Sequence, residues 1–197
     1  MSRIKKLELD DWDKELREMT AADSGTPLEQ GAMRMFAHSP EISKGLTKFA
    51  GALKQNRSLP DRLVELVRLR VAFHNQCRSC MAIRYKDGQE DGITEDLVCS
   101  LEKPMEADNL SDSEKAAIQY GELFATNHLA INDDIYDNLR KYFNESEIVE
   151  LSMTVAFFVG FGRLAASYHM VEELPDSFQA DEKETLTPWG NDSIIVR

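Results

Sequence analysis

Cysteine is scarce in this sequence, with three residues among 197. A small secreted domain held together by disulfides carries more cysteines, usually in even number, so this count argues against a disulfide scaffold. Two of the three, Cys77 and Cys80, form a Cys-x-x-Cys pair, whereas Cys99 is isolated. In a reducing compartment such a pair is more often catalytic or metal-binding than structural.

Basic residues are also few relative to acidic ones. The sequence has 23 lysines and arginines against 35 acidic residues, which gives a net charge of −12. Such a surface repels phosphate backbones and anionic lipids, so we expect neither nucleic acid nor a membrane as a partner. We identify no run of about 18 apolar residues that would span a membrane. The charged N-terminus lacks the apolar region of a secretory signal, which makes a cytoplasmic location the expectation.

Strand-like alternation of apolar and polar residues persists nowhere in the chain. Apolar residues recur instead at helical spacing, and the stretches Ser111–Glu114 and Asn144–Glu147 match capping boxes at helix starts. The longest helix is expected from Ile148 to about Glu172. The sequence therefore predicts an all-α fold, a bundle of several helices.

The helical pattern extends over residues 1–174, which we interpret as one domain with its core at about 38–170. The remaining tail, residues 175–197, is polar and interrupted by proline and glycine. A free tail would be disordered, but Trp189 is unusual in such a segment and favours docking on a neighbouring subunit. Both possibilities are open from the sequence.

The stretch around the cysteine pair predicts a helix, a break and a second helix. Apolar residues occupy nearly every face over residues 63–73, as in a helix at the centre of a core. Asn75 is a favoured N-cap, so Cys77 and Cys80 are expected in the first turn of a helix that runs to about Lys86. Backbone N–H groups at such an end favour a thiolate, the reactive form of cysteine. The sequence therefore predicts a dithiol redox site.

Within the pair, Cys80 is expected to attack the substrate and Cys77 to resolve the intermediate. Arg84 follows Cys80 by four residues, which on a helix would place its charge beside the thiolate. Cys77 can then attack a sulfenic acid on Cys80 to give the disulfide.

Glu65 and His74 are further candidates, each with two interpretations. If the two helices fold back on each other, Glu65 can approach the thiols as a proton acceptor; otherwise it forms an ion pair with an arginine of the core. Histidine titrates near neutrality, so His74 can relay protons, or it can satisfy a carbonyl at the end of its helix. The isolated Cys99 is expected to be a small buried hydrophobic residue.

A zinc half-site is the alternative interpretation of the cysteine pair. Structural zinc needs four ligands, usually two spaced pairs, and the sequence offers no second pair of cysteines or histidines. A thioredoxin-type site would need a βαβ context, which the sequence also lacks. We therefore expect no metal and no prosthetic group.

The pattern Leu-x-Arg-x-Arg-Val-Ala-x-x-Asn-x-Cys-x-x-Cys over residues 66–80, preceded by Glu65, resembles the alkyl hydroperoxidase D-like (AhpD-like) branch of the carboxymuconolactone decarboxylase superfamily. The similarity extends over about residues 38–163. It implies an all-helical homo-oligomer, a dimer, trimer or hexamer, whose redox members reduce peroxides. It also implies that Cys80 is the peroxidatic cysteine, Cys77 the resolving one and Glu65 part of a proton relay.

Two positions depart from the family's pattern. Arg84 stands where the relay usually has a histidine, and Ser79 stands where some members have another. Arginine cannot accept a proton, so Arg84 would act only as an electrostatic stabiliser. Either His74 takes over the relay or peroxidase activity is weak or absent, as in a divergent peroxidase-related subgroup.

The expected function is therefore that of a dithiol peroxidase acting on hydrogen peroxide or organic hydroperoxides, with electrons from an unidentified dithiol donor. Two alternatives stay open. One is a non-redox enzyme of the decarboxylase type acting on a lactone or related acid. The other is a redox-sensing interaction module that uses the disulfide as a switch.

Overall fold

The computed structural model describes residues 2–181 and 183–197. Over those residues the chain is mostly helical, with short 3-10 turns and one pair of three-residue strands, so the predicted all-α fold is confirmed. The helices are α1 (Lys14–Met19), α2 (Pro27–Gln30), α3 (Met33–Phe36), α4 (Pro40–Gln55), α5 (Asp61–Asn75), α6 (Arg78–Ala82), α7 (Lys86–Glu90), α8 (Glu95–Cys99), α9 (Asp112–Thr126), α10 (Asp133–Leu139) and α11 (Glu145–Tyr168). The strands are β1 (Ile83–Tyr85) and β2 (Ile194–Val196).

Helix α5 is the centre of the fold because its apolar side chains point in every direction. Leu66 and Leu69 are fully buried, and Leu63 and Val67 are nearly so. Its main neighbours are α9 and α11. A helix covered on all sides removes most of its apolar surface from water, which is the main stabilising contribution to such a core.

Both predicted capping boxes are present. The Ser111 hydroxyl accepts the N–H of Glu114 at 3.3 Å, and the Glu114 carboxylate accepts the N–H of Ser111 at 2.8 Å. Asn144 and Glu147 make the same exchange at 3.0 and 2.8 Å. These bonds satisfy N–H groups without a helical partner and so define where α9 and α11 begin.

Helix α11 ends at Tyr168, four residues before the predicted end at Glu172. The reason is His169, which adopts a left-handed conformation with φ 52° and ψ 53°. A left-handed residue directly after the last helical one is a common way for a helix to stop.

Helix α11 has the length and composition of a membrane-spanning helix, although charged residues interrupt its apolar sequence. Length and composition alone do not distinguish a spanning helix from a core helix, and α11 packs on α5 and α9. Only 33% of its most apolar window is buried, and Val149 and Met153 on its outer face are exposed. This helix therefore contributes to the core on one side and presents apolar surface on the other.

The C-terminal tail packs on its own chain. Strand β2 pairs in parallel with β1, with Ile83 opposite Ile194. Trp189 is buried against Phe73, and their ring centroids are 5.0 Å apart. Trp189, which suggested docking on a neighbouring subunit, is thus covered by its own chain, whereas Ile195 of β2 is 54% exposed.

Gly162 lies where α11 crosses the end of α5. A Cβ at this position would lie 2.5 Å from the side-chain nitrogen of Asn75. That nitrogen donates to the Phe158 carbonyl at 3.0 Å, so Asn75 cannot retreat without losing the bond. At Gly160, in the same helix, an added Cβ would meet nothing within 4 Å. Close packing therefore requires glycine at position 162 and not at position 160.

We expect Gly162→Ala to lower the free energy of unfolding by about 1–3 kcal/mol, because the methyl group displaces Asn75. Gly160→Ala is the matched control and should raise it by about 0.5–1 kcal/mol, because alanine favours the helix. Urea unfolding of both variants measures the difference. Equal effects at the two positions would contradict the packing explanation.

Candidate redox site

Helix α5 ends next to the cysteine pair because Gln76 adopts a left-handed conformation, with φ 49° and ψ 37°. The N–H of Gln76 donates to the Phe73 carbonyl at 3.0 Å, and that of Cys77 donates to the Ala72 carbonyl at 3.2 Å. These two bonds close the last turn of α5. Cys77 then takes an extended conformation and becomes the N-cap of α6.

Asn75 was predicted to be that N-cap, and this prediction is wrong. Asn75 is still helical, as the last residue of α5, whereas an N-cap needs extended backbone. Its buried amide instead donates to the Phe158 carbonyl at 3.0 Å and accepts from Arg163 Nε at 3.2 Å. The side chain thus holds the end of α5 against α11.

Cys77 and Cys80 form a disulfide, with their Cα atoms 5.2 Å apart. Cys77 is fully buried, whereas Cys80 is half-buried. The Cys77 sulfur accepts the N–H of Cys80 at 3.4 Å and lies 3.6 Å from the Ser79 hydroxyl. The pair therefore combines one fully buried cysteine with one that is half-buried, at a helix start as predicted.

Helix α6 is shorter than predicted, ending at Ala82 rather than at about Lys86. The chain then becomes extended and enters β1, which contains Arg84. Arg84 therefore does not share a helix face with Cys80. A spacing of four residues would bring its charge beside Cys80 only on a continuous helix. Pairing of β1 with β2 interrupts that helix.

Arg84 is instead a buried anchor, with no exposed side-chain surface. Its guanidinium binds both carboxylate oxygens of Glu95 at 3.0 Å. It also donates to the Met81 and Pro188 carbonyls at 2.7 Å each and to the Ile83 carbonyl at 3.2 Å. These contacts engage all of its N–H groups, so the side chain holds β1, α8 and the tail together.

Glu65 forms the buried ion pair that was its second interpretation. Its carboxylate oxygens accept from Arg68 at 2.6 and 2.7 Å, and one of them also accepts the N–H of Tyr85 at 3.3 Å. Arg68 donates in turn to the carbonyls of Cys80 at 2.6 Å and Ile83 at 2.7 Å. Burial lowers the pKa of Arg68, but the neighbouring Glu65 carboxylate outweighs this effect and holds it above its usual value. Glu65 is thus linked to the reactive segment through Arg68.

His74 lies at the last turn of α5 and faces α9. Its Nε2 is 3.5 Å from Glu122 Oε1, which is long for a hydrogen bond. Arg70 binds both oxygens of the same carboxylate at 3.0 Å and donates to the Leu101 carbonyl. His74, followed by Arg70, lowers the pKa of Glu122 to about 2 despite its partial burial. The histidine therefore has an acidic partner, and its role as a proton relay stays a prediction.

Cys99 is exposed at the end of α8, so the expectation that it is buried is wrong. The preceding residues Leu97 and Val98 form the buried side of that short helix, which turns Cys99 outward. Within residues 2–181 and 183–197, no three histidine, cysteine or acidic side chains are grouped to hold a metal ion.

A cavity of about 230 Å³ opens beside the cysteine loop. Its walls come from the loop residues Asn75, Gln76, Arg78 and Ser79 and from the end of α11. Ser79 lines this cavity, and its hydroxyl oxygen lies 3.6 Å from the Cys77 sulfur. The cavity is large enough for a small molecule, since a water molecule occupies about 30 Å³ of liquid.

Two residues of the site carried little signal in the sequence. A left-handed residue is usually glycine or asparagine, so nothing singled out Gln76. Glu122 lies far along the chain from Arg70, although the buried charge of Arg70 indicated that some acidic partner exists.

Comparison with known proteins finds relatives for the segment that contains the cysteine pair. Residues 40–123 match the model of the carboxymuconolactone decarboxylase family. An uncharacterized protein from Mycobacterium tuberculosis is 30% identical over 121 residues, which is 60% of this chain and 42% of the relative. The chain therefore spans less than half of that curated relative.

Two solved structures share the fold. An uncharacterized peroxidase-related protein from Ralstonia eutropha, described as an alkylhydroperoxidase AhpD core, has a TM-score of 0.70 and 18% identity, covering 90% of this chain and 94% of its own. A cysteine-to-alanine variant of the debrominase Bmp8 in complex with 2,3,4-tribromopyrrole has a TM-score of 0.69 and 12% identity, covering 85% and 90%. At these identities the likeness concerns the fold alone. The chain therefore has an AhpD-like fold, and its residues 40–123, which contain the cysteine pair, are similar to the carboxymuconolactone decarboxylase family.

Proposed function

We propose that this protein is a dithiol peroxidase that reduces hydrogen peroxide or organic hydroperoxides through Cys77 and Cys80. The observation that carries the proposal is the disulfide between a buried Cys77 and a half-buried Cys80 at the start of a helix. A peroxidatic cysteine has to meet its substrate, whereas a resolving cysteine has to reach only its partner. The unequal exposure of the two sulfurs supports Cys80 in the first role and Cys77 in the second.

In the first step, the Cys80 thiolate attacks the distal oxygen of the hydroperoxide and the O–O bond breaks. Cys80 becomes a sulfenic acid, and the alkoxide that leaves takes a proton to become the alcohol. The Cys77 thiolate then attacks the Cys80 sulfur, the S–O bond breaks and the oxygen leaves as water. Two electrons from an external dithiol return the disulfide to two thiols.

Glu65 serves in this proposal as a positioning residue. Both of its oxygens bind Arg68, and Arg68 holds the Cys80 carbonyl, so the carboxylate acts on the cysteine through its partner. His74 is the remaining candidate for proton transfer, with Glu122 beside it. Arg84 holds the fold around the site and takes no part in the chemistry.

Two further candidates differ in what they require of the cysteines. A non-redox decarboxylase would keep its activity after loss of both thiols. A redox switch would change its assembly on oxidation without consuming a hydroperoxide. The shared fold of the debrominase Bmp8 adds debromination as a reaction to assay, although the likeness does not extend to its substrate.

We also propose that the protein forms homo-oligomers, in the cytoplasm, through an apolar face of α4 and α11. Ile42 is 76% exposed and Met153 is 50% exposed. Phe49 on α4 lies 5.9 Å from Phe157 on α11, so the two helices present one continuous apolar surface. Contiguous exposed apolar surface of this kind marks interaction sites. A second copy of the chain offers the same face, as a two-fold interface requires.

The reduced protein should consume hydrogen peroxide or cumene hydroperoxide while losing two free thiols. Cys80→Ser should abolish turnover, because no sulfenic acid forms. Cys77→Ser should allow one equivalent of peroxide to react and then stop at a sulfenic acid that dimedone traps. Cys99→Ser is the matched control and should retain full turnover. Undiminished turnover by Cys80→Ser would refute the proposal.

Glu65→Gln should lower the free energy of unfolding by about 3–5 kcal/mol, because it leaves the Arg68 charge buried without a counter-charge. Glu90→Gln, at an exposed position of α7, is the control and should change it by no more than about 0.5 kcal/mol. Urea unfolding measures both. If Glu65→Gln has the same free energy of unfolding as the wild type, the ion pair does not stabilise the fold.

Met153→Glu should shift the protein to monomers in size-exclusion chromatography with light scattering, because it places a charge in the apolar face. Met105→Glu is the control, since Met105 is 48% exposed but lies on neither α4 nor α11. If both variants keep the mass of the wild-type assembly, the interface lies elsewhere. A monomeric wild type would contradict self-association itself.

A further inference from the structure

The C-terminal strap, defined here as residues 183–196, crosses the dithiol segment and is tied to it on both sides of the cysteines. Before them, the Gln76 side-chain amide donates to the Leu186 carbonyl at 3.0 Å and accepts the Leu186 N–H at 2.9 Å. One amide thus satisfies both backbone groups of a strap residue, as a neighbouring strand would. The same nitrogen donates to the Phe73 carbonyl at 2.6 Å, which ties this clamp to α5.

Two arginines extend the attachment. Arg78, between the cysteines, donates to the Glu184 carbonyl at 2.8 Å. Arg84, after them, donates to the Pro188 carbonyl at 2.7 Å. Beyond that point β2 pairs with β1 directly. The strap therefore follows the segment 76–85 along its length.

The strap also contributes to the apolar cluster on which the half-buried Cys80 packs. Leu186 and Ile194 of the strap belong to the same apolar cluster as Cys80. Trp189 packs on Phe73 and is 8% exposed. Cys80 is half-buried, so the cover around it is incomplete. A small molecule can pass a gap of this kind more easily than the surface of a second protein.

Reduction of the disulfide requires the reductant to bring a thiolate to the Cys80 sulfur. A donor thiolate attacks the Cys80 sulfur, forming a mixed disulfide, and the bond to Cys77 breaks with Cys77 leaving as the thiolate. A second donor thiolate then attacks the mixed disulfide, which frees Cys80 and leaves the donor oxidised. When the donor is a protein, its backbone has to approach Cys80 closely, next to the apolar cluster to which Leu186 and Ile194 of the strap also belong.

We propose that the strap selects the reductant: in its closed position it admits small molecules to Cys80, and a protein dithiol reduces the disulfide only after the strap lifts. The strap suits this movement because it is irregular except for β2 and is held mainly by single side chains, so it can open without global unfolding. The proposal rests on the redox function of the cysteine pair, but not on hydroperoxide as the substrate.

The test compares two reductants on the oxidised full-length protein: dithiothreitol, and thioredoxin with its reductase and NADPH. Trp189→Ala loosens the strap and should raise the rate with thioredoxin about tenfold, the change expected when the closed state loses about 1.4 kcal/mol. The rate with dithiothreitol should change by less than about twofold, because small molecules already reach Cys80. Trp12→Ala is the matched control, because Trp12 is 6% exposed and belongs to a separate apolar cluster. It should leave the ratio of the two rates unchanged.

An unchanged ratio in Trp189→Ala, or an equal rise of both rates, would overturn the proposal. Gln76→Gly provides a second variant if Trp189→Ala does not fold: glycine keeps the left-handed conformation and removes the clamp on Leu186. It should shift the ratio in the same direction. If the ratio of the thioredoxin rate to the dithiothreitol rate shifts while no hydroperoxide is consumed, only the peroxidase assignment fails. If hydroperoxide is consumed and the ratio does not shift, only the role of the strap fails.

Discussion

The buried guanidinium of Arg68 joins the central helix to the reactive segment. It binds Glu65 on its own helix and the carbonyls of Cys80 and Ile83 beyond the break, and it lies 4.9 Å from the centre of the Tyr85 ring. A charge in the core is tolerated when it is paired and hydrogen-bonded, and Arg68 is paired with Glu65 and donates four hydrogen bonds. Because the donors of Arg68 diverge in a fixed plane, the position of the Cys80 backbone follows from the position of α5.

The segment from Gln76 to Tyr85 shows how an irregular backbone can be held without forming a long helix or a wide sheet. Its carbonyls cannot all find backbone partners, and unpaired buried carbonyls are costly. Arg68 and Arg84 supply the missing donors, and Arg78 supplies donors to the tail that covers the segment. Arginine suits this task because its N–H groups reach several acceptors at once and stay charged at every working pH.

Structural features that depend on residues close together in the sequence could be predicted, whereas those that depend on contacts between distant parts of the sequence could not. The capping boxes at Ser111 and Asn144 are local hydrogen-bond patterns, and the apolar surface of α5 is visible in its composition. The helix start at the cysteine pair was also predicted, but not the left-handed Gln76 that creates it, since most residue types are rare in that conformation. The helical spacing of Arg84 failed because β1 pairs with residues that enter the fold from the far end of the chain.

The pairing of β1 with β2 has a consequence for how the protein is made. Gln76 and Leu186 are 110 positions apart, so the contacts around the cysteines close a very long loop. Contacts of this kind form late in folding, after local helices are in place. On the ribosome, the cysteine segment emerges well before the residues that cover it, and its thiols pass through an interval of synthesis in which Met81 and Ala82 lack their final neighbours. The cysteine segment thus completes its packing only after residues 186–196 have been synthesised.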